Sequence, residues 1–221
     1  ESVASKRRAD PQAPNLGFDD DRADYRTSVK DHIAYRFEVQ GLLGKGSFGR
    51  VLQGLDHKTR RQPVAIKVIK NKKVFHQQAQ IEHMILKRIR DNDEEHTSNC
   101  IHFIDKLVFR NHIIFTFPLL GSNLHEWTKK HFKNGCNLAL IWTVAGQVLE
   151  ALAFLCRQRI VHCDLKPENI LLVDEQRSPA VRLIDFGSAC LEGQQTQTYI
   201  QSRFYRAPEV ILRLPYAMAI D

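Results

Sequence analysis

The sequence lacks paired cysteines. Five are present, Cys100, Cys136, Cys156, Cys163 and Cys190, an odd number, widely scattered and without a C-x-x-C pair. That excludes a disulfide framework or a cysteine-built zinc site as an organising feature, and it fits reduced thiols in the cytoplasm, the nucleus or both. Missing too is an apolar stretch at the N-terminus, where Glu1-Ser2-Val3 is followed closely by Lys6-Arg7-Arg8, so no signal peptide is read there. No apolar run is read as reaching the roughly 20 residues of a membrane span, and no membrane partner is expected. The formal charge is +7, but Lys and Arg are spread along the chain and not interleaved with aromatics. Nucleic acid is therefore not an expected partner, and Lys6-Arg7-Arg8 is shorter than a usual import cluster. With 43% hydrophobic and 26% charged residues, the 221-residue chain can bury one sizeable core or two small ones.

Residues 1–30 mix Pro11, Pro14, Asn15 and Gly17 with the acid run Asp19-Asp20-Asp21 and hold few large apolar side chains. Such a segment cannot offset the entropy of ordering by burial, and a flexible N-terminal segment is expected. From Tyr35 the pattern alternates, with F-E-V-Q-G-L-L, then G-K-G-S-F-G, then R-V-L-Q-G-L, which predicts a hairpin around a long glycine loop. Val64 to Ile69 reads as a third strand, and Gln77 to Arg90 has helical spacing at Ile81, Ile85 and Ile89. A strand pair is predicted over Ile101–Phe109 and Ile113–Phe117. Beyond Pro118 the pattern turns helical, and Leu138, Ile141, Trp142, Ala145, Val148, Leu149, Leu152 and Leu155 predict one long amphipathic helix. The plan is a small sheet with one helix, a short connector and a helical unit.

Gly44-Lys45-Gly46-Ser47-Phe48-Gly49-Arg50-Val51 matches G-x-G-x-x-G-x-V, in which missing Cβ atoms let backbone N–H groups approach phosphate oxygens. By itself the match is equally a tight hairpin, and the dinucleotide-fold alternative is set aside because a strand, not a helix, follows. Val64-Ala65-Ile66-Lys67 puts a lysine on a strand, and Glu82 on the next helix is placed to pair with it and hold the ammonium at the α/β-phosphates of ATP. Spacing leaves Glu82 open to being an ordinary exposed helix residue. His162-Cys163-Asp164-Leu165-Lys166-Pro167-Glu168-Asn169 reads as a catalytic loop. Phosphoryl transfer to a hydroxyl needs a carboxylate to orient it and accept its proton, a cation to offset charge on the moving group, and hard oxygen ligands for Mg2+. Asp164, Lys166 and Asn169 suit those roles in that order, and Asp185-Phe186-Gly187 adds a second metal ligand in Asp185. Ala207-Pro208-Glu209 closes a segment that contains Tyr199.

With all of these motifs in order, the chain from Arg36 to Asp221 resembles the eukaryotic protein kinases, and among them the dual-specificity tyrosine-regulated (DYRK) kinases of the CMGC group. The narrower resemblance rests on Asn71-Lys72-Lys73-Val74-Phe75, Gln78-Ala79-Gln80-Ile81-Glu82, the H-C-D form of the catalytic loop, and Tyr199 to Arg206. Upstream, Gly17-Phe18-Asp19-Asp20-Asp21 and Asp31 to Val39 look like the box that precedes the DYRK domain. The resemblance implies an α+β, bilobal protein kinase-like fold: a β-rich N-lobe with one helix and its preceding box over 31–118, and a mainly helical C-lobe. Residues 119–221 are expected to be a truncated part of that C-lobe, ending just after the activation segment.

The same resemblance implies an adenine site walled by Leu43, Val51, Ala65, Leu171 and Ile184, with Phe117 as gatekeeper and Leu120 at the hinge. Lys45, Ser47 and Phe48 complete the glycine-loop part of the ATP-binding set. Cys163 stands where many kinases carry an arginine that grips a phosphorylated activation loop, so regulation is expected to differ. Tyr199 matches the tyrosine that DYRK-type enzymes autophosphorylate during maturation, before acting on serine and threonine of protein substrates, often next to proline. Phospho-Tyr199 is expected to pair with Arg203 and Arg206, the alternative being a buried structural tyrosine. Gln197 stands where many relatives carry an earlier tyrosine, which leaves the homeodomain-interacting and Yak kinases as neighbours. The expected function is an ATP- and Mg2+-dependent serine/threonine kinase, and the alternative is an inactive truncated or pseudokinase module. Intact Lys67, Asp164, Asn169 and Asp185 favour the enzyme. The 221 residues alone are expected to be unstable or inactive, because the helix at 138–155 would stay partly uncovered.

Overall fold

The computed structural model describes residues 10–133, 135–175, 178–195 and 197–221, so Lys6-Arg7-Arg8 and the start of the expected flexible segment lie outside the described residues. The chain forms two compact units, Glu1–Gln80 with Phe103–Leu119, and Ile81–His102 with Leu120–Asp221. Residues 81–102, expected with the strands, group with the second unit instead. The cause is backbone pairing: Ile101 N donates to Leu183 O at 2.9 Å and Leu183 N to Asn99 O at 2.8 Å.

The first unit holds β1 (His32–Ile33), β2 (Phe37–Lys45), β3 (Gly49–Asp56), β4 (Gln62–Ile69), the start of α1 (Lys73–Asp91), β5 (Asp105–Phe109) and β6 (His112–Pro118). The strands make one antiparallel sheet in the order β1-β2-β3-β4-β6-β5. Because side chains alternate across a strand, Val64, Ile66 and Val68 of β4 fall on one face, where they join Phe37, Val39, Leu52 and Ile114 in a buried cluster. Each such side chain contributes about 1.5–3 kcal/mol by leaving water. The predicted strand over Ile101–Phe109 is realised only from Asp105 onward.

Residues 10–30 correct the expectation of a flexible lead-in. Phe18 and Tyr25 are buried in that same cluster. The Arg110 guanidinium lies 3.5 Å from the Phe18 ring centroid and donates to the Tyr25 hydroxyl at 2.7 Å. Buried His112 engages Asp19 through Nε2 at 2.8 Å and Ile69 O through Nδ1 at 2.6 Å. Composition undercounted this segment, since two well-placed aromatics and a closed polar network order it without many aliphatic side chains.

The second unit holds α2 (Leu124–His131), α3 (Leu138–Arg157), β7 (Ile160–Val161), β8 (Ile170–Asp174), β9 (Ser178–Leu183), β10 (Cys190–Leu191) and the short α4 (Pro208–Ile211). Asn123 and Asn137 cap α2 and α3, their side-chain oxygens accepting from Glu126 N and Ala139 N at 2.8 Å. By length and composition α3 is long and apolar enough to cross a membrane, which corrects the reading that no run approaches that length. In the fold α3 packs on β9: Gln147 accepts from Val181 N at 2.9 Å and donates to Pro179 O at 3.1 Å. Val144, Ala151, Phe154 and Leu155 are buried, whereas Trp142 is 71% and Leu149 64% exposed. Strand pairs β8/β9 and β7/β10, in register Ile170↔Leu183 and Cys190↔Val161, bracket the loops that carry the chemistry.

Candidate active site

The residues singled out in the sequence form two sets, one on each unit. On the first, the β2–β3 hairpin pairs Gly44 with Val51 and Lys45 with Arg50, and Gly46 N donates to Gly49 O at 2.9 Å across its tip. A Cβ on Gly49 would meet Val68 O at 2.0 Å, so only glycine lets β3 run this close to β4; Gly44 and Gly46 face open space. Lys70 anchors the tip from β4's end, its Nζ donating to Ser47 O and its N–H to Phe48 O, both at 2.9 Å. The register Val51↔Lys67 and Ala65↔Phe117, with period-two alternation, sets Val51, Ala65, Lys67 and Phe117 on one face of the sheet, opposite the buried cluster. Leu43 on β2 is 49% exposed.

On the second unit the catalytic-loop residues converge by direct contact. Lys166 Nζ lies 2.6 Å from Asp164 Oδ2. The Asn169 amide nitrogen donates to Asp164 O at 2.9 Å and to Oδ2 at 3.1 Å. That turns the Asn169 carbonyl oxygen, a hard ligand, away from the aspartate. Ile184 N donates to Asn169 O at 2.9 Å, setting the residue before Asp185 against the loop. Asp185 itself is left-handed, φ 61, and accepts from Gly187 N at 3.3 Å, while Phe186 behind it is fully buried. A carboxylate and an amide oxygen are the donor types that suit Mg2+, so the residues present fit that ion. Gly121 N donates to Leu172 O at 2.8 Å and Leu172 N to Ser122 O at 3.0 Å, which stitches the segment after Leu120 to the strand of Leu171. Glu82, on α1, is 2% exposed, so the reading as an ordinary exposed helix glutamate is excluded.

Three residues, His162 of the catalytic-loop motif among them, make contacts that sequence spacing does not specify. Ser202 Oγ donates to Asp164 Oδ1 at 2.8 Å, Ser202 N to the same oxygen at 3.1 Å, and Lys166 Nζ reaches Ser202 Oγ at 3.0 Å. His162, fully buried, donates from Nε2 to Ile184 O at 2.9 Å and stands edge-on to Phe186, centroids 5.1 Å apart. Asp221 accepts from His162 N and Cys163 N at 2.5 and 2.9 Å. Burial pushes its carboxyl above the usual carboxylate range, opposed by His162 and those two N–H groups. Cys163, Asp185 and Gln201 are all left-handed non-glycine residues, φ 64, 61 and 63. Such backbone stores strain of order 1–3 kcal/mol per residue and persists where surrounding contacts over-determine it.

In the activation segment Tyr199 is 75% exposed, which excludes a buried structural tyrosine. The Arg206 guanidinium lies 4.1 Å from its ring centroid, while Arg206 Nε and Nη2 donate to Ile200 O and Gln201 O at 2.9 and 2.8 Å. A side-chain hydrogen bond from Arg206, its charge and that of Arg203 hold the Tyr199 phenol below its ordinary range. Gln201 accepts from Ala207 N and donates to Ile220 O, both at 2.7 Å.

A glycine hairpin beside a strand lysine on one unit, and an aspartate–lysine–asparagine loop on the other, are the groups that a phosphotransferase uses, and the chain belongs to the protein kinases: the protein kinase domain family model matches residues 37–221. Within that family it groups with the dual-specificity tyrosine-phosphorylation-regulated kinases. It is 50% identical to kinase 4 of that name from Homo sapiens over 204 residues, 92% of this chain and 39% of the relative. Kinase 2 from Drosophila melanogaster is 48% identical over 207 residues, 94% of this chain and 28% of the relative. The DYRK-family kinase pom1 of Schizosaccharomyces pombe is 46% identical over 221 residues, 100% of this chain and 20% of the relative. The chain thus spans between 20% and 39% of the length of these proteins. A protein kinase domain uses ATP and Mg2+ generally.

Proposed function

We propose that the protein carrying this chain transfers the γ-phosphoryl group of ATP to serine and threonine hydroxyls of other proteins, with a preference for sites next to proline, and phosphorylates itself on Tyr199. The observation that carries this reading is the joint engagement of Asp164 by Lys166, Asn169 and Ser202. Asp164 orients an incoming hydroxyl and takes its proton, and the Lys166 ammonium, 2.6 Å from the carboxylate, offsets charge on the phosphoryl group as it moves. Asn169 and Asp185 would hold Mg2+, which when bound neutralises phosphate charge. Lys67 would steady the nucleotide phosphates, and the backbone N–H groups of the Gly44–Gly49 loop would cover them.

Five free thiols fit a reducing compartment, the cytoplasm or the nucleus. The pseudokinase reading is not favoured, because Lys67, Asp164, Asn169 and Asp185 are all retained. Radiolabelled phosphate transfer from ATP to a serine-containing, proline-flanked peptide tests the proposal. Turnover is expected in the presence of Mg2+, with a loss of about 10²–10⁴-fold in kcat for Asp164→Asn. Equal turnover by wild type and Asp164→Asn would sink it.

A further inference from the structure

Asp24 is 1% exposed, yet neither of its carboxylate oxygens makes a hydrogen bond. A buried carboxylate in that state is costly and persists only where opposite charge compensates it. Its compensating charges come from the two strands that flank the glycine-rich tip. Lys45 Nζ of β2 lies 3.3 Å from Asp24 Oδ2, and Arg50 Nε of β3 lies 3.8 Å from the same oxygen. Lys45 and Arg50 are register partners, immediately outside the Gly46–Gly49 turn.

Asp20 closes the arrangement. Its Oδ2 takes Arg50 Nη2 at 2.5 Å, and its Oδ1 accepts from Arg22 N at 2.9 Å and Asp24 N at 3.0 Å, so the two acids are held as one unit. Asp20 N donates to Asp24 O at 2.9 Å, and Asn71 N donates to Ala23 O at 2.9 Å, which ties the turn between the acids to the chain leaving β4. The glycine hairpin is therefore gripped by an element that precedes the sheet in sequence.

We infer that Asp24, with Asp20, is a positioning element for the glycine-rich loop: an acid clamp that holds both strands of the hairpin through Lys45 and Arg50 and thereby sets nucleotide affinity. Glycine leaves the tip backbone free to wander, since Gly44 and Gly46 have nothing within 4 Å of a would-be Cβ. A charge clamp just outside the tip restricts that freedom without filling the space above the backbone. The part concerning nucleotide rests on the phosphotransfer reading above; the clamp does not.

The test uses the whole protein that carries this chain. Hydrogen exchange of residues 44–50 is measured without nucleotide, alongside ATP affinity, KM for ATP and kcat. In Asp24→Asn, exchange over 44–50 is expected to quicken by about tenfold and KM for ATP to rise about 3- to 10-fold, with kcat within about twofold. Asp20→Asn, at a partly exposed side chain, is expected to move both readings the same way, and the charge-keeping Asp20→Glu to restore them; these two decide the matter if Asp24→Asn does not fold. Unchanged exchange and affinity in Asp20→Asn and Asp24→Asn overturn the clamp, as does a loss of protection spread evenly over the whole sheet. Faster exchange in a protein that binds no ATP even as wild type supports the clamp and overturns the phosphotransfer reading.

Discussion

Asp221 Oδ1 accepts a hydrogen bond from the backbone N–H of Cys163 at 2.9 Å, and Cys163 is held at φ 64. Asp221 thus secures a left-handed turn immediately before Asp164, and the same carboxylate takes His162 N. Asp221→Ala leaves both N–H groups without that acceptor in a buried place. The expected result is a loss of about 2–4 kcal/mol in stability and about 10- to 100-fold in kcat. Asp221→Asn keeps one oxygen acceptor and falls between. Melting curves and steady-state kinetics on the protein carrying the chain check both.

Ser202 bridges Asp164 and Lys166 through one hydroxyl. Ser202→Ala leaves Asp164 with the Ser202 N–H and the Asn169 amide, but loosens the lysine. A fall of about tenfold in kcat with KM for ATP within about twofold is expected, and Ser202→Thr, which keeps the hydroxyl, should stay within about threefold of wild type. Equal loss in both variants would point to crowding and not to the hydroxyl.

Acid should weaken the first unit through Asp56. Arg36 forks onto it, Nε to Oδ1 at 2.8 Å and Nη2 to Oδ2 at 2.6 Å, and Nη1 reaches Asp105 at 2.7 Å. Those bonds, helped by Lys58 N and opposed by burial, hold the Asp56 carboxyl below the usual carboxylate range. A carboxyl lowered in the folded state adds stability above its unfolded value of about 4, and that stability is lost as pH falls through the folded value. Asp56→Asn is expected to cost about 2–4 kcal/mol near neutral pH, with the gap to wild type narrowing below pH of about 4. Urea unfolding across that range measures it.

Tyr199→Phe keeps a ring beneath the Arg206 guanidinium, 4.1 Å away in the native chain, but removes the acceptor hydroxyl. Mass spectrometry should find phosphotyrosine at Tyr199 in active protein and none in Asp164→Asn, and Tyr199→Phe should lower kcat by about 3- to 30-fold. Full activity with Tyr199 unmodified would remove its regulatory role.

Much of the site is legible in sequence because its residues are local. Asp164, Lys166 and Asn169 lie within one loop, so their contacts at 2.6 and 3.1 Å need only short stretches of backbone. The glycine hairpin is equally local, a period-two pattern interrupted by residues without Cβ. Ser202 and Asp221 are not legible as partners of that loop, because nothing in a one-dimensional pattern says that a serine 38 residues or an aspartate 58 residues further on will return to it. The order of residues 10–30 is hidden from composition for a related reason: it comes from His112, Arg110 and Asn71, far along the chain.

The amino-acid sequence alone determined the glycine hairpin, the strands carrying Lys67 and Phe117, the helices at Glu82 and Leu138, the order of the motifs and the chemical groups available, since these follow from spacing, propensity and side-chain chemistry. Tertiary structure alone decided that Glu82 is buried, that Asp24 lies between two cations without a hydrogen bond, and that Asp221 supports His162 and Cys163. Burial and long-range charge pairing depend on which distant segments pack together, and packing is a property of the folded chain as a whole.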